Sequence, residues 1–435
     1  MSAVSNLHVV VIGSGFAGLS AAHAAHDRGA TVTIVRGGAG ASALYAGAAD
    51  DDLWDEVQRA AARLGTEPTA SAIDADVESL CRDLGLWVMP AAGAPLPIVA
   101  TTAGIARTAR AHDAALLDLR RAEGRTVLVP RADRSGWDAD SIVRCLGAAS
   151  APASDRPASF EAISAPVLRF DEERDIVDAD LAARHDDPAR LEWLAKNLGP
   201  EVARRGKDRV AILLGPWLGA SRSRAAELSA RLGVPTGEAL AAASGTAGQR
   251  YEAARDAFFD RIGIRTVSGW AENVSGPASD RHGCVVSLGE GRTITCDVVV
   301  VATGGVLGGG VRYEPPDHAA PAEGAKRITS ALRLVPHVDG VRLSLGLDVG
   351  PSSSTHGPVL DERAWPFGSR EGAIERAGVL VDASGRAAPR VFAGGDVTFG
   401  HRRTVLTAMR SGLDAGRCAC EAALVAREPN HQLLE

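Results

Sequence analysis

Three glycine-rich segments of this 435-residue chain have residue types and spacings suited to holding a phosphate-bearing cofactor. The first is Gly13-Ser14-Gly15-Phe16-Ala17-Gly18, directly after the β-branched run His8–Ile12. In such a loop the first glycine makes a tight turn, the second admits a pyrophosphate against the backbone, and the third lets strand and helix pack closely. The helix that follows offers free N–H groups and the positive end of its dipole. The spacing alone is a weak signal, and its place between a strand and a helix is the confirming context. The second segment, Asp297 to Gly305, is a four-valine strand ending in Ala302-Thr303-Gly304-Gly305. Small residues at the carboxyl end of a strand let a cofactor pass close to the sheet. The third runs from Arg390 to Gly394-Gly395-Asp396. Asp396 can accept hydrogen bonds from ribityl hydroxyls, and the next helix can aim its N-terminus at a flavin ring oxygen.

One position departs from this pattern. The strand Thr31–Val35 is followed by Arg36-Gly37-Gly38, where dinucleotide folds place an Asp or Glu for the adenosine ribose. Three readings stay open: FAD with Arg36 near the adenine or pyrophosphate, FMN, which has no adenosine ribose, or a 2′-phosphate on Arg36. The Gly-Gly-Asp segment argues against the last, and FAD is preferred to FMN. The expected cofactor set is Gly13, Ser14, Gly15, Phe16, Ala17, Gly18, Arg36, Gly37, Ser42, Gly47, Val274, Ala302, Thr303, Gly304, Gly395, Asp396, Arg403 and Thr404. The basic run Gly400-His401-Arg402-Arg403-Thr404 follows the third segment. Its arginines can pair with a carboxylate or phosphate of a substrate, or with the cofactor's own phosphate, and His401 can act as acid or base. His356, in a Ser-rich loop, and Arg107, after Thr102-Ala103-Gly104, are weaker catalytic candidates. His112 and His185 read as surface residues, and Trp217 reads as packing.

These groups need a scaffold. Strand His8–Ile12, helix Leu19–Arg28 closed by Gly29, and strand Thr31–Val35 make a βαβ unit. Amphipathic helices are expected over Asp51–Leu64 and Ala75–Leu86, with a loop over Ala91–Pro97. The middle third alternates strands Thr126–Val129 and Val210–Leu214 with helices Asp138–Leu146, Leu191–Arg205 and Arg222–Leu232, which predicts an α/β insertion. A helix over Gly248–Arg261 precedes an expected β-meander of Arg265–Ser268, Val285–Leu288 and Arg292–Thr295. Short strands Val379–Val381 and Val391–Ala393 and a long helix Thr404–Val425 close the chain. The expected fold class is α/β: a Rossmann-like FAD-binding domain, discontinuous in sequence, with an inserted α/β domain and a β-meander. Its segments are 1–110, 265–310 and 376–435 for the flavin domain, 111–264 for the insertion, and 311–375 for a cap.

A 23% charged fraction and a net charge of −7 argue against nucleic acid as a partner. No run reaches the roughly 18 apolar residues of a membrane span, and the short run Val9–Ile12 does not make a signal peptide. The expected location is cytoplasmic, or peripheral at the inner membrane through a partner. The six cysteines, Cys81, Cys145, Cys284, Cys296, Cys418 and Cys420, are scattered, so no iron–sulfur or zinc site is expected on this chain.

Taken together, the N-terminal glycine loop, the Ala-Thr-Gly-Gly strand end and the C-terminal Gly-Gly-Asp resemble the two-dinucleotide-binding-domain flavoproteins. A finer resemblance lies in Gly40 to Asp50, with further collinear similarity at Leu96–Gly104, Arg134–Asp138, Val210–Pro216 and Gly248–Gly263. There the chain is similar to the B-type subunit of anaerobic glycerol-3-phosphate dehydrogenase, which also lacks the acidic residue after its second strand. The resemblance implies a flavin-dependent oxidoreductase that takes hydride from a small anionic alcohol. It also implies partner subunits, a second flavoprotein and an iron–sulfur protein, and it keeps FMN as an alternative. The basic run at Gly400–Thr404 departs from that family, which has an acidic-Pro pair there. An electron-relay subunit without its own catalysis and a stand-alone NAD(P)H-linked flavin reductase are the other readings.

Overall fold

The computed structural model describes residues 7–50, 73–149, 157–241, 245–275, 283–306, 308–314, 332–336, 338, 359–360, 378–400 and 403–426. The expected helix Asp51–Leu64, His356, His401 and Arg402 lie outside them. The chain forms two compact units, one of residues 1–42 and 259–435, the other of residues 43–258.

The first unit is built on a six-stranded sheet. Its strand order is Arg265–Ser268, Thr31–Arg36, His8–Ile12, Val298–Val301, Val391–Ala393, Arg386–Ala388. All neighbours are parallel except the last pair. Val10 pairs with Thr33 on one side and Val299 on the other. Near-continuous valine is what a sheet buried on both faces requires, and Val9, Val10, Val11 and Val298–Val301 are all buried. Val10, Ile12, Val35, Val299 and Val301 pack against Val274, Val286 and Leu288 of a three-stranded antiparallel meander.

That meander corrects the sequence reading. Its strands are Ala271–Ser275, Cys284–Leu288 and Thr293–Cys296, whereas Arg265–Ser268 runs parallel to Thr33–Arg36 at the edge of the main sheet. Over four residues an edge strand and a meander strand carry the same alternation. The true first meander strand is hidden in the sequence because its register shifts between Ala271 and Asn273. The bulge sets polar Glu272 inside the run and breaks the alternation. Val379 makes only an isolated bridge to Thr398 rather than the expected strand.

Helix Phe16–Asp27 and the C-terminal helix Val405–Val425 cross at a seam of small residues. A Cβ on Gly412 would overlap the Ala17 carbonyl oxygen, and one on Gly416 would overlap that of Ala21. Three further short strands, Val311–Glu314, Leu332–Pro336 and Val359–Leu360, form an antiparallel sheet.

The second unit holds a four-stranded, wholly parallel sheet in the order Thr236–Glu238, Val210–Leu214, Thr126–Pro130, Ser159–Ile163. Helices Ala139–Ala149, Pro188–Arg205 and Ala225–Leu232 intervene in sequence, as parallel crossovers demand. Asp187 starts the long helix by accepting from the Ala189 N–H, with Pro188 at the first helical position, where its missing donor costs nothing. A small antiparallel sheet joins Ala48–Ala49 and Trp87–Val88 to Ala111–Asp113, so the stretch after Ser42 packs with this unit.

Candidate cofactor site

The carboxyl ends of Thr31–Arg36, His8–Ile12, Val298–Val301 and Val391–Ala393 all point the same way, because the strands are parallel. They carry Arg36, the Gly13–Gly18 loop, Ala302–Gly305 and Gly394–Asp396 to one rim of the sheet. This is where open α/β sheets bind ligands.

Each glycine of the first loop is there for a steric reason. Gly13 has φ +108°, and a Cβ on it would overlap the Ala302 carbonyl oxygen. One on Gly18 would overlap the carbonyl oxygen of Gly13 itself. One on Gly15 would lie 2.9 Å from Ser42 Oγ. Gly15 caps the helix without a side chain. The Phe16 N–H donates to Ser42 Oγ at 3.1 Å, so a polar acceptor already sits at the helix N-terminus where a phosphate oxygen belongs.

The second and third segments meet at Gly305. A Cβ there would lie 2.6 Å from the Asp396 carbonyl oxygen and 3.1 Å from Cζ of Arg403. The Arg403 guanidinium therefore lies over the Ala-Thr-Gly-Gly strand end, beside the Gly-Gly-Asp turn. Two residues that the sequence did not flag shape that turn. Ser411 Oγ accepts from the Gly395 N–H at 3.0 Å, and Thr398 Oγ1 donates to the Gly395 carbonyl at 2.7 Å. Both are ordinary hydroxyls in sequence, and only the turn they hold gives them a role. Thr404 caps the final helix without a side-chain bond to its N–H groups. Its hydroxyl bonds Thr407 Oγ1 at 2.8 Å instead.

Other expected site residues have packing or polar partners of their own. Val274 is a fully buried meander residue paired with Val286. Gly47, with φ +119°, packs on Leu116 in the second unit. Arg107 is engaged there in an ion pair with Asp50 and a 3.1 Å bond to the Thr108 carbonyl. His112 and His185 are buried, 4% and 1% exposed, not surface residues as expected. The partners of their rings are backbone carbonyls, and His112 donates through Nδ1 to the Asp113 carbonyl at 2.9 Å. His185 donates through Nδ1 to the Leu181 carbonyl at 3.0 Å. Burial, with help from Arg190, holds its pKa down at about 4.

The second unit also holds a charge network that the sequence did not announce. Arg250 donates to Asp113 at 3.1 Å through Nε, to Glu238 at 2.7 Å through Nη2, and to the Gly219 carbonyl at 2.8 Å. At the carboxyl end of Thr126–Pro130 two of the chain's own tryptophans pack together. Trp137 donates to the Pro130 carbonyl at 2.8 Å, and Trp217 packs edge-on against it at 5.4 Å.

Among the described residues no group of His, Cys, Asp and Glu is placed to hold a metal ion. Burial pushes the thiols of Cys81, Cys284 and Cys420 up to about 12, 11 and 11. They are thus protonated at neutral pH and inert as nucleophiles. No helix of the described residues is long and apolar enough to cross a membrane.

The rim and its glycine cradle define a flavoprotein with a Rossmann-like FAD-binding domain. Residues 8–67 match the family described as the FAD binding domain, and FAD, rather than FMN, is the cofactor this match indicates. No curated protein sequence matches the chain significantly. Solved structures similar to it include the Mycobacterium smegmatis Sdh1 complex in the apo form, at 13% identity and a TM-score of 0.33, covering 98% of this chain and 70% of that one. The 3-ketosteroid delta1-dehydrogenase from Sterolibacterium denitrificans aligns at 16% identity and a TM-score of 0.27, over 69% of this chain and 48% of that one. The T. acidophilum thioredoxin reductase aligns at 13% identity and a TM-score of 0.22, over 97% and 99% of the two chains. Likenesses this distant carry no argument about activity.

Proposed function

We propose that this chain is the flavin-bearing subunit of a dehydrogenase that oxidises a small anionic alcohol, glycerol 3-phosphate or a related hydroxy acid, and hands the electrons to partner subunits. The observation that carries the reading is the position of Arg403, its guanidinium against Gly305 and beside the Gly394–Asp396 turn. FAD, when bound, supplies a two-electron acceptor. The Gly13–Gly18 loop and Ser42 would hold its pyrophosphate, and Asp396 its ribityl hydroxyls. The N-terminus of helix Val405–Val425, free of a side-chain cap, adds positive potential at the same rim.

In this reading Arg403 and Arg402 bind the substrate's phosphate or carboxylate, a bidentate task suited to guanidinium. His401 takes the hydroxyl proton, and His356 remains a secondary candidate. The scattered cysteines put any iron–sulfur relay on a partner. A second flavoprotein and an iron–sulfur protein are the partner classes implied by the resemblance to anaerobic glycerol-3-phosphate dehydrogenase, and association at a membrane would come through them.

The test is anaerobic bleaching of the flavin absorbance with glycerol 3-phosphate and with hydroxy acids, with and without co-purified partners. Bleaching by one of them supports the reading. No bleaching under any condition removes the catalytic role and leaves an electron-relay protein. Arg403→Ala should weaken apparent substrate affinity about tenfold to a hundredfold at unchanged flavin content, the range for losing a charged hydrogen-bond partner. Flavin loss with normal kinetics would assign Arg403 to the cofactor instead.

A further inference from the structure

The carboxyl end of Thr31–Arg36 carries no carboxylate for an adenosine ribose, yet it is not featureless. Arg36 is followed by Gly37 and Gly38, and the indole of Trp270 lies against both. A Cβ on Gly37 would be 2.6 Å from the ring, and one on Gly38 3.4 Å. The two glycines thus make room for the ring. Trp270 is 53% exposed, although large apolar side chains of this chain are mostly buried. Its position is fixed from both sides. The preceding Gly269, at φ +149°, donates its N–H to the Arg36 carbonyl at 2.9 Å, and the Trp270 carbonyl accepts from the Gly289 N–H at 3.2 Å. Arg265–Ser268 delivers it there by pairing in register with Thr33–Arg36. The result is a solvent-facing indole, on a backbone held from both sides, at the strand end that a dinucleotide's adenosine half reaches when its pyrophosphate lies on the neighbouring glycine loop.

We propose that Trp270 is the adenine platform of the cofactor site, and that it takes over the affinity and specificity that the absent acidic residue would give. Adenine stacks on the exposed indole, with Gly37 and Gly38 as the seat of the ring and Arg36 alongside. Stacking on an aromatic ring is tolerant of the ribose contacts, so FAD is retained without a carboxylate. FMN, which lacks adenine, gains nothing from this surface. The inference rests on FAD being the cofactor.

The experiment strips the full chain of flavin and titrates it separately with FAD, FMN and ADP. The wild type should bind FAD well above FMN, and ADP should quench tryptophan fluorescence. Trp270→Ala should weaken FAD and ADP about fivefold to a hundredfold, the range for losing one stacked base. FMN binding and the thermal midpoint of the stripped protein should stay unchanged. Trp270→Phe should recover most of the FAD affinity. Equal FAD affinity in Trp270→Ala and wild type overturns the platform, as does a parallel loss of FAD and FMN. A wild-type chain that binds neither flavin would instead defeat the cofactor assignment itself.

Discussion

Replacing Arg250 with Met removes the cation from between two carboxylates that are fully out of water. The Asp113 and Glu238 side chains are 0% exposed and that of Arg250 is 1%. Methionine keeps much of the volume, so the loss is chiefly electrostatic. Breaking a buried ion pair from one side costs about 3–5 kcal/mol, because a charge is left without its partner. For a unit of this size, at about 2–4 °C per kcal/mol, the unfolding midpoint should fall by about 6–20 °C at pH 8. The pH dependence follows from Glu238. Burial, the largest influence, raises its carboxyl above the ordinary range, with Arg250 opposing. A carboxyl with a raised folded pKa contributes stability below its ordinary pKa and loses it as pH rises through the folded value. Without Arg250 the folded value climbs further, so the deficit against wild type should shrink from pH 8 to pH 5. Adding Glu238→Gln removes one of the stranded charges and should recover part of the loss. Thermal unfolding followed by tryptophan fluorescence reads the wild type and both variants. A midpoint within about 2 °C of wild type, or a deficit that grows toward acid, would refute the reasoning.

Two other outcomes are expected besides the Arg403 result. Gly18→Val should abolish flavin content on purification, read as flavin absorbance per protein, because its Cβ would occupy the place of the Gly13 carbonyl oxygen. His185 has a folded pKa lowered to about 4, so its contribution is present above about pH 6.5 and is lost as pH falls toward 4. His185→Gln should therefore flatten stability across that window, where the wild type loses up to about 3 kcal/mol; denaturant melts at pH 7 and pH 4.5 that stay as far apart as in the wild type would contradict this.

The cofactor rim was readable because its parts are local. A glycine loop between a valine strand and a helix declares itself within a dozen residues, and so do the Ala-Thr-Gly-Gly and Gly-Gly-Asp strand ends. What could not be read was pairing at a distance. Glu272, at the bulge, hid a strand whose register only its partner Cys284–Leu288 reveals. Asp113, Glu238 and Arg250 look like three surface charges until folding brings them together. Arg107 follows a promising loop, but Asp50, 57 residues earlier, engages it. Trp270 follows an unremarked glycine, and nothing local says that Gly37 lies beneath its ring.

The order of the chain has a consequence for synthesis. His8, at the start of the central strand, donates its N–H to Asp297, 289 residues further on, and the small-residue seam needs the last helix as well. At about 5–20 residues per second, a nascent flavin domain waits tens of seconds with its first strand paired on one edge only, by Thr31–Arg36, while residues 43–258 are made. That interval leaves the other edge of the valine strand open to aggregation. It also means that a stop codon before Val405 would leave the glycine loop intact in sequence but without the helix that its own helix packs against.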